Sequence, residues 1–352
     1  MKKLNYSFIC VLFVLSCNNK INTVYDISLP DAEELTSSSK IISADLLSPI
    51  DIIIKNNKLI ILEMISKDMF KVFDVSSLKY LYSFGERGQG PNDFLSNGIN
   101  IIHNENDCVE IHDIDNVKFL RFLDTIAFIE KKLPISRINL RNPINGLGKL
   151  NDSIYFFDNI FEGDRKKEFT RQNIKTNKRY YFSILPNWYK NETIINEMQK
   201  YSIYKASKKV LPPKKRIVVF YYRFPAMKII DYDGNVCKEI KIRIQNQNFN
   251  AYDANTTYFT SQSFLTNDYI YALYLGKPND VIIAEEDSFR PDLLIFNWEG
   301  SIVGRYVLDK PITAFTISEE TGKIYGVSSL GDSHINSIYE FELPRINNEK
   351  YP

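Results

Sequence analysis

The feature that most constrains the fold is a short pattern that recurs six times along the 352-residue chain. Each copy is a polar, turn-forming pair followed by an alternating apolar strand. The copies occupy residues 57–62, 106–111, 151–156, 215–220, 267–272 and 322–327. Lys58 and Lys323 are 265 residues apart, so the five intervals average 53 residues. A period of this size is typical of a repeat architecture in which each repeat forms one small sheet.

The most complete repeat spans residues 267–308. It contains alternating β-branched and aromatic runs at 269–275, 293–297 and 301–308, and Asn297-Trp298-Glu299-Gly300 supplies a tight turn between the last two. Further strand-like runs follow the other copies. The sequence therefore predicts an all-β chain that forms a six-bladed β-propeller with four-stranded antiparallel blades.

The last repeat shows only one further strand, residues 337–343, and so lacks an outer strand. An unused alternating run at residues 23–29 is predicted to supply it, which would close the ring and remove an exposed sheet edge. Two stacked sandwiches are the competing interpretation, and they require a break near the middle of the chain. The nearest break is residues 185–216, where the repeat is delayed and an inserted helix is predicted over residues 191–205.

The first residues have the pattern of a targeting signal. Lys2 and Lys3 precede an apolar run at residues 4–15, which is shorter than the roughly 20 residues that span a bilayer. The run ends in Val14-Leu15-Ser16-Cys17, which resembles a bacterial lipobox. We therefore expect a signal peptide at 1–16, lipidation of Cys17, a tether at 17–40, the propeller at 41–344 and a tail at 345–352. The alternative is an ordinary secretory signal with an incidental cysteine.

Charge and cysteine content narrow the class of protein. The 44 basic and 43 acidic residues become 42 and 43 once Lys2 and Lys3 are removed, and this balance gives no basis for binding nucleic acid. Besides Cys10 and Cys17, only Cys108 and Cys237 remain. They belong to different repeats, so we expect them to be unpaired and buried.

Three segments resemble a known family. Residues 84–94 (FGERGQGPNDF) concentrate Gly85, Gly88 and Gly90, which implies positive φ angles or close backbone approach. Together with residues 267–276 and 294–306, this loop resembles the TolB-like six-bladed β-propeller lipoproteins of Gram-negative bacteria. The resemblance implies the fold and an outer-membrane lipoprotein of the cell envelope, facing the periplasm or the cell surface. It implies no catalytic residues, because most members have no assigned activity.

Long loops on one face of the ring are where binding residues are expected. For Glu86, Arg87 and Gln89, the alternative to a ligand-binding rim is a turn whose side chains hold neighbouring blades together by hydrogen bonds. Exposed aromatic rings on predicted loops could stack on sugars or peptides. The candidate ligand-binding residues are Glu86, Arg87, Gln89, Trp188, Tyr252, Tyr258, Asp280 and Arg290.

The functional residues of an enzyme are not evident in the sequence. Three histidines lie in two repeats, and no motif predicts a catalytic residue, a metal site or a cofactor. We therefore expect a lipid-anchored propeller that binds a protein, peptide or glycan partner. The alternative is a propeller hydrolase or lyase that uses carboxylates in the central funnel, with or without a bound cation. Two or more carboxylates converging there would favour the enzyme.

Overall fold

The computed structural model describes residues 24–41, 45–90, 92–95, 100–103, 108–114, 116–135, 146–158, 167–182, 203–244 and 255–346. Within these residues, the strands form six sheets, and the innermost strands of successive sheets pack side by side around one axis. The last innermost strand packs against the first, so the ring is closed. The predicted six-bladed propeller is confirmed.

The first three blades are four-stranded antiparallel meanders, each running from the axis outward. Blade one contains β4 (Pro49–Lys55), β5 (Lys58–Glu63), β6 (Asp68–Asp74) and β7 (Tyr80–Glu86). Blade two contains β8 (Asn100–His103), β9 (Val109–Asp113), β10 (Asn116–Phe122) and β11 (Ala127–Pro134). Blade three contains β12 (Gly148–Asn151), β13 (Ile154–Asp158), β14 (Phe169–Asn173) and β15 (Arg179–Phe182).

Each of the last three blades contains one strand from the N-terminal segment. It is a fifth strand in blades four and five and the fourth strand in blade six. Blade four contains β16 (Ala206–Leu211), β17 (Arg216–Tyr221), β18 (Ala226–Asp231), β19 (Val236–Arg243) and β1 (Val24–Ser28). Blade five contains β20 (Thr256–Leu265), β21 (Tyr269–Pro278), β22 (Asp292–Asn297), β23 (Ile302–Leu308) and β2 (Glu33–Leu35). Blade six contains β24 (Ala314–Ser318), β25 (Lys323–Val327), β26 (Ser337–Glu342) and β3 (Ser38–Ile41).

The prediction that residues 23–29 close the last blade is wrong. The closing strand is β3, which pairs antiparallel with β26, so that Ser38 faces Glu340 and Ile41 faces Ser337. β1 instead pairs in parallel with β19 as a fifth strand of blade four, where Tyr25 and Ile27 pack against its hydrophobic core. The physical reason is continuity, because the outer strand of the last blade must lead directly into β4, and β3 lies closest to it in the chain.

Burial explains why the recurring pattern marks the second strand of each blade. All six residues of β5 and all but the first of β17 are buried, because these strands lie between the axis and the solvated outer strands. Neighbouring blades share their cores, as Val218 and Phe220 of blade four do with Leu294 and Phe296 of blade five. Burial of such side chains on both faces of a sheet is the main favourable contribution to the fold.

Chain direction defines the two faces of the ring. Each blade begins with its innermost strand and reverses at every turn, so connections between blades and loops between second and third strands lie on one side, called the loop face below. The turns between first and second strands lie on the opposite face. Asn56 and Asn57 form one of these turns with φ angles of 48° and 59°, as two-residue hairpins require.

The two cysteines agree with the prediction in pairing but not in burial. Cys108 and Cys237 form no disulfide within the described residues, and both are only half-buried. The Cys108 thiol donates to Glu130 Oε2 at 2.7 Å, and with Arg121 it lowers the pKa of the Glu130 carboxyl. In the described part of the chain, no helix combines the length and the apolar character that crossing a bilayer would require.

Candidate functional site

An exposed apolar patch covers the loop face of blades one and two. Its members are large hydrophobic side chains whose exposed fractions lie between 40% and 67%. We call Leu47, Met64, Ile65, Leu95 and Ile114 the apolar patch. Exposed hydrophobic side chains that share a neighbourhood mark interaction sites more often than isolated ones do.

Hydrogen bonds join the segments that carry Leu47, Met64 and Ile65 of the apolar patch. The buried carboxylate of Glu63, at the end of β5, accepts the backbone N–H groups of Leu47 at 2.8 Å and Ser48 at 3.0 Å through Oε2. The Met64 N–H donates to Ser48 O at 2.9 Å. Burial raises the pKa of Glu63. These bonds fix the connection into blade one beside the loop that carries Met64 and Ile65.

A buried ion pair holds the segments that carry Leu95 and Ile114 of the apolar patch. Lys118 Nζ bonds to the carboxylate of Asp113 and to Asp93 O, and it lies 4.2 Å from the centre of the Phe94 ring. The Leu95 N–H donates to Asp113 Oδ1 at 3.1 Å. Asp113 therefore positions two members of the apolar patch. One is Leu95, in the connection between blades one and two, and the other is Ile114, the next residue in the chain.

Ile114 has a backbone conformation that is unfavourable for its side chain. It is the first residue of the turn that joins β9 to β10, and its φ angle is 37°. A β-branched residue at positive φ is a genuine outlier, and strained residues cluster at functional sites. Because Gly or Asn would relieve the strain, an exposed Ile at this position suggests a role other than stability.

Replacing Ile114 with Gly should therefore stabilise the fold by about 1 kcal/mol, because the left-handed conformation then carries no side-chain penalty. Denaturant unfolding of the two proteins measures the difference. Ile126→Gly, in the turn on the opposite face where the residue is also exposed, serves as the control and should not stabilise. A loss of stability in Ile114→Gly would show that the side chain supports the fold.

The loop of Glu86, Arg87 and Gln89 lies within this patch, and Arg87 pins it. Arg87 Nε donates to Ser66 O at 3.1 Å, and Nη2 bonds to Met64 O and to Glu63 O at 3.3 Å. Glu86 forms an exposed ion pair with Lys67 at 3.2 Å, and Gln89 is exposed. Arg87 thus fixes backbone at the end of β5 and in the loop between β5 and β6 of blade one.

The glycines of this loop behave as the sequence predicted. Gly85 has a φ angle of 85°, and a Cβ at Gly88 or Gly90 would overlap the carboxylate of Asp93. That carboxylate accepts the Gly90 N–H at 2.7 Å. The loop is therefore closed on itself and presents a fixed surface.

Arg87→Ala should destabilise the protein by about 1–3 kcal/mol, because several backbone carbonyls lose a charged donor. Arg87→Lys should recover little, since a single ammonium cannot replace the planar fork. Thermal and denaturant unfolding measure both changes, with the exposed Gln89→Ala as a control that should be neutral. Equal effects of Arg87→Ala and Gln89→Ala would contradict a pinning role.

Asp280 and Arg290 lie on the loop face of blade five, on the other side of blade six from blade one, and are not part of the patch. The loop there contains a short helix, α1 (Asn279–Ala284). Asp280 Oδ1 accepts the Asn255 side-chain amide at 2.6 Å, and Arg290 Nη1 donates to Phe289 O at 2.8 Å. Both side chains therefore bond within the loop region.

Tyr258 was predicted to lie on a loop, and this is wrong. It belongs to the innermost strand β20 and is 3% exposed, with its ring 6.2 Å from that of Tyr274. The run Thr256-Thr257-Tyr258-Phe259 has strand composition, which could have indicated this. Trp188, Tyr252, Cys17 and the helix predicted at residues 191–205 lie outside the described residues, apart from the end of that helix.

The central channel is mixed in character. A cavity of about 190 Å³ lies between the innermost strands, and its walls are mainly aliphatic and aromatic. Among the described lining residues, Asp51 is the one carboxylate. In the same part of the chain, no three His, Cys, Asp or Glu side chains lie close enough to hold a metal ion.

The protein is thus a six-bladed propeller with an apolar patch on its loop face and a partly polar channel. A family model described as TolB-like 6-blade propeller-like matches residues 31–320. The chain belongs to this TolB-like family, as the sequence resemblance predicted. No curated protein matches the sequence.

Two solved structures from Bacteroides share the fold. The protein BF0058 of Bacteroides fragilis NCTC 9343, described as a candidate exported protein, is 12% identical with a TM-score of 0.55, over 92% of this chain and 99% of that one. A member of the duf4221 family from Bacteroides vulgatus ATCC 8482 is also 12% identical with a TM-score of 0.55, over 89% and 96%. At this identity the comparison concerns the fold alone.

Proposed function

We propose that the protein is a lipid-anchored propeller of the bacterial cell envelope that binds a protein partner through its apolar patch. The observation that carries the proposal is the group of exposed hydrophobic side chains of Leu47, Met64, Ile65, Leu95 and Ile114. They are held by bonded backbone and a buried ion pair, so the surface is formed before a partner arrives. Such preorganisation lowers the entropic cost of binding.

The patch favours a protein segment over a glycan. Aliphatic side chains offer no hydrogen bonds to the hydroxyl groups of a sugar. They pack well against the Leu, Ile, Val or Phe side chains of a protein partner. Glycan binding was expected to use aromatic rings, but Tyr258 is buried in the core that blades four and five share. The rim of Glu86, Lys67 and Gln89 supplies the polar surround that interfaces usually have.

The anchor is proposed from the lipobox-like residues 14–17, from membership of the TolB-like family and from the description of a structural relative as a candidate exported protein. β1 begins at Val24, seven residues after Cys17. Seven extended residues reach about 25 Å. The outer edge of blade four would therefore lie within that distance of the bilayer.

The hydrolase or lyase alternative depends on converging carboxylates in the channel. The described lining provides Asp51 without a second carboxylate, so this alternative has no supporting observation and is not proposed.

A photo-crosslinking amino acid at Ile65 tests the binding surface in intact cells of the source organism. We expect a discrete protein adduct from position 65 and none from position 126, which is 55% exposed on the opposite face. Met64→Glu should abolish the adduct. Leu123→Glu, at a residue that is 44% exposed on the opposite face, should leave the adduct intact. Absence of an adduct at position 65, or the same adduct from both positions, would contradict the proposal.

Lipid attachment is tested separately. Cells given radiolabelled palmitate should label the wild-type protein, and Cys17→Ser should remove the label and release the protein from the membrane fraction. A labelled Cys17→Ser protein, or an unlabelled wild type, would contradict the anchor without affecting the binding surface.

A further inference from the structure

The channel cavity contains a second candidate site, separate from the apolar patch. Its volume of about 190 Å³ is roughly ten times what one water molecule needs. The lining comes from the innermost strands of all six blades and from Leu147, which precedes β12. The cavity can hold a small organic molecule.

Two side chains of opposite charge enter the cavity from opposite blades. Asp51 lies on β4 of blade one and Lys209 on β16 of blade four, and these blades face each other across a six-membered ring. The Lys209 charge acts on the Asp51 carboxylate and opposes the rise in its pKa that burial causes. Within the described residues, however, the two groups form no ion pair.

The neighbouring lysine shows what a satisfied pair in this region looks like. Lys208 Nζ bonds directly to the Asp158 carboxylate, and both side chains are more than nine-tenths buried. Lys209 has no such partner among the residues that the structure describes. A buried or half-buried charge without a partner is unfavourable, and a bound ligand of opposite charge would correct this.

Asp51 is held in place by its surroundings. Its Oδ1 accepts the Ile52 N–H at 2.9 Å, and its carboxylate also bonds to the Gln262 side chain. Gln262 is 5% exposed, and its Nε2 donates to Ile50 O at 3.0 Å, which links blade five to blade one across the ring. The carboxylate therefore has a fixed position from which to bind a cation.

The remaining wall is mainly apolar, although Lys208, Gln262, Ser263 and Thr316 also belong to it. Ile53, Ile101, Leu211, Phe264 and Phe315 line it, and such a surface binds hydrocarbon groups rather than sugars or phosphates. A ligand that matches the site has a positive group, a negative group and a hydrocarbon side chain within one small molecule.

We propose that this cavity binds a small zwitterion with an apolar side chain, such as a free apolar α-amino acid. The ammonium group binds Asp51, the carboxylate binds Lys209, and the side chain packs on the apolar wall. The site is independent of the partner-binding patch.

Isothermal titration with L-leucine tests the proposal on the whole mature chain. Leucinamide lacks the negative charge and N-acetyl-leucine lacks the positive charge, so each should bind about 10- to 100-fold more weakly than leucine, the usual range for losing one charged hydrogen bond. No heat of binding with leucine at millimolar concentration, or equal affinity for the three compounds, would overturn the proposal.

Variants assign the two ends of the ligand. Asp51→Asn should weaken leucine and leucinamide but leave N-acetyl-leucine unchanged, whereas Lys209→Met should weaken leucine and N-acetyl-leucine but leave leucinamide unchanged. Lys175→Met, in an exposed turn, is the matched control and should bind like the wild type. Thermal unfolding without ligand checks that each variant folds, and if one does not, the other still tests its end. A uniform loss for all three compounds in either folded variant would overturn the assignment.

Discussion

A chain that begins at Asp31 or at Ser37 should fold into a monomeric ring, whereas a chain that begins at Ile42 should not. The first shortened chain lacks β1, the second lacks β1 and β2, and the third also lacks β3. β1 and β2 are fifth strands on blades that already contain four, but β3 is the fourth strand of blade six.

Loss of β3 exposes the edge of β26 and separates the last blade from the first, and an exposed edge invites pairing with other chains. The cost should approach the whole stability of an ordinary domain, about 5–15 kcal/mol. Size-exclusion chromatography, limited proteolysis and thermal unfolding of the three chains measure the effect. If the chain from Asp31 were the one to aggregate, β1 rather than β3 would be the strand on which closure depends.

Lys118→Met should destabilise the protein by about 3–5 kcal/mol, because the Asp113 carboxylate would stay buried without its cation. Lys118 is 3% exposed, and it also bonds to Asp93 O and lies over Phe94, so the connection between blades one and two loosens as well. Denaturant unfolding measures the change. The same variant should weaken partner capture, because Asp113 positions Leu95 and Ile114 of the apolar patch.

Two comparisons make this prediction specific. Asp113→Asn combined with Lys118→Met should recover much of the loss, because the charge is removed and an acceptor for the Leu95 N–H remains. Lys67→Met, which breaks the exposed pair with Glu86, should change stability little. If Lys118→Met were no more harmful than Lys67→Met, the buried pair would contribute nothing beyond a surface pair.

The sequence predicted the ring because periodicity survives in the second strands, which are buried and therefore restricted to apolar residues. It did not predict the closing strand, because Ser38-Ser39-Lys40-Ile41 lacks apolar alternation in its sequence, although its backbone pairs with β26. Residues 23–29 alternate because Tyr25 and Ile27 pack on blade four, so the pattern indicated a strand without indicating its partner.

The candidate site was predicted only in part. The glycine-rich loop of Glu86, Arg87 and Gln89, whose ligand-binding role stays a prediction, lies beside the apolar patch. The patch around it was not predicted, because its members are scattered from Leu47 to Ile114 and single apolar residues in loops carry no sequence pattern. The presence of both Asp51 and Lys209 in the channel lining likewise depends on which blades face each other, and this required the closed ring.

The pairing of Ser38 with Glu340 has a consequence for biosynthesis. One of the first segments to leave the ribosome must wait for one of the last, which is about 300 residues later. Contacts so distant in sequence form slowly. The final sheet therefore cannot be completed until nearly all of the ring has been synthesised.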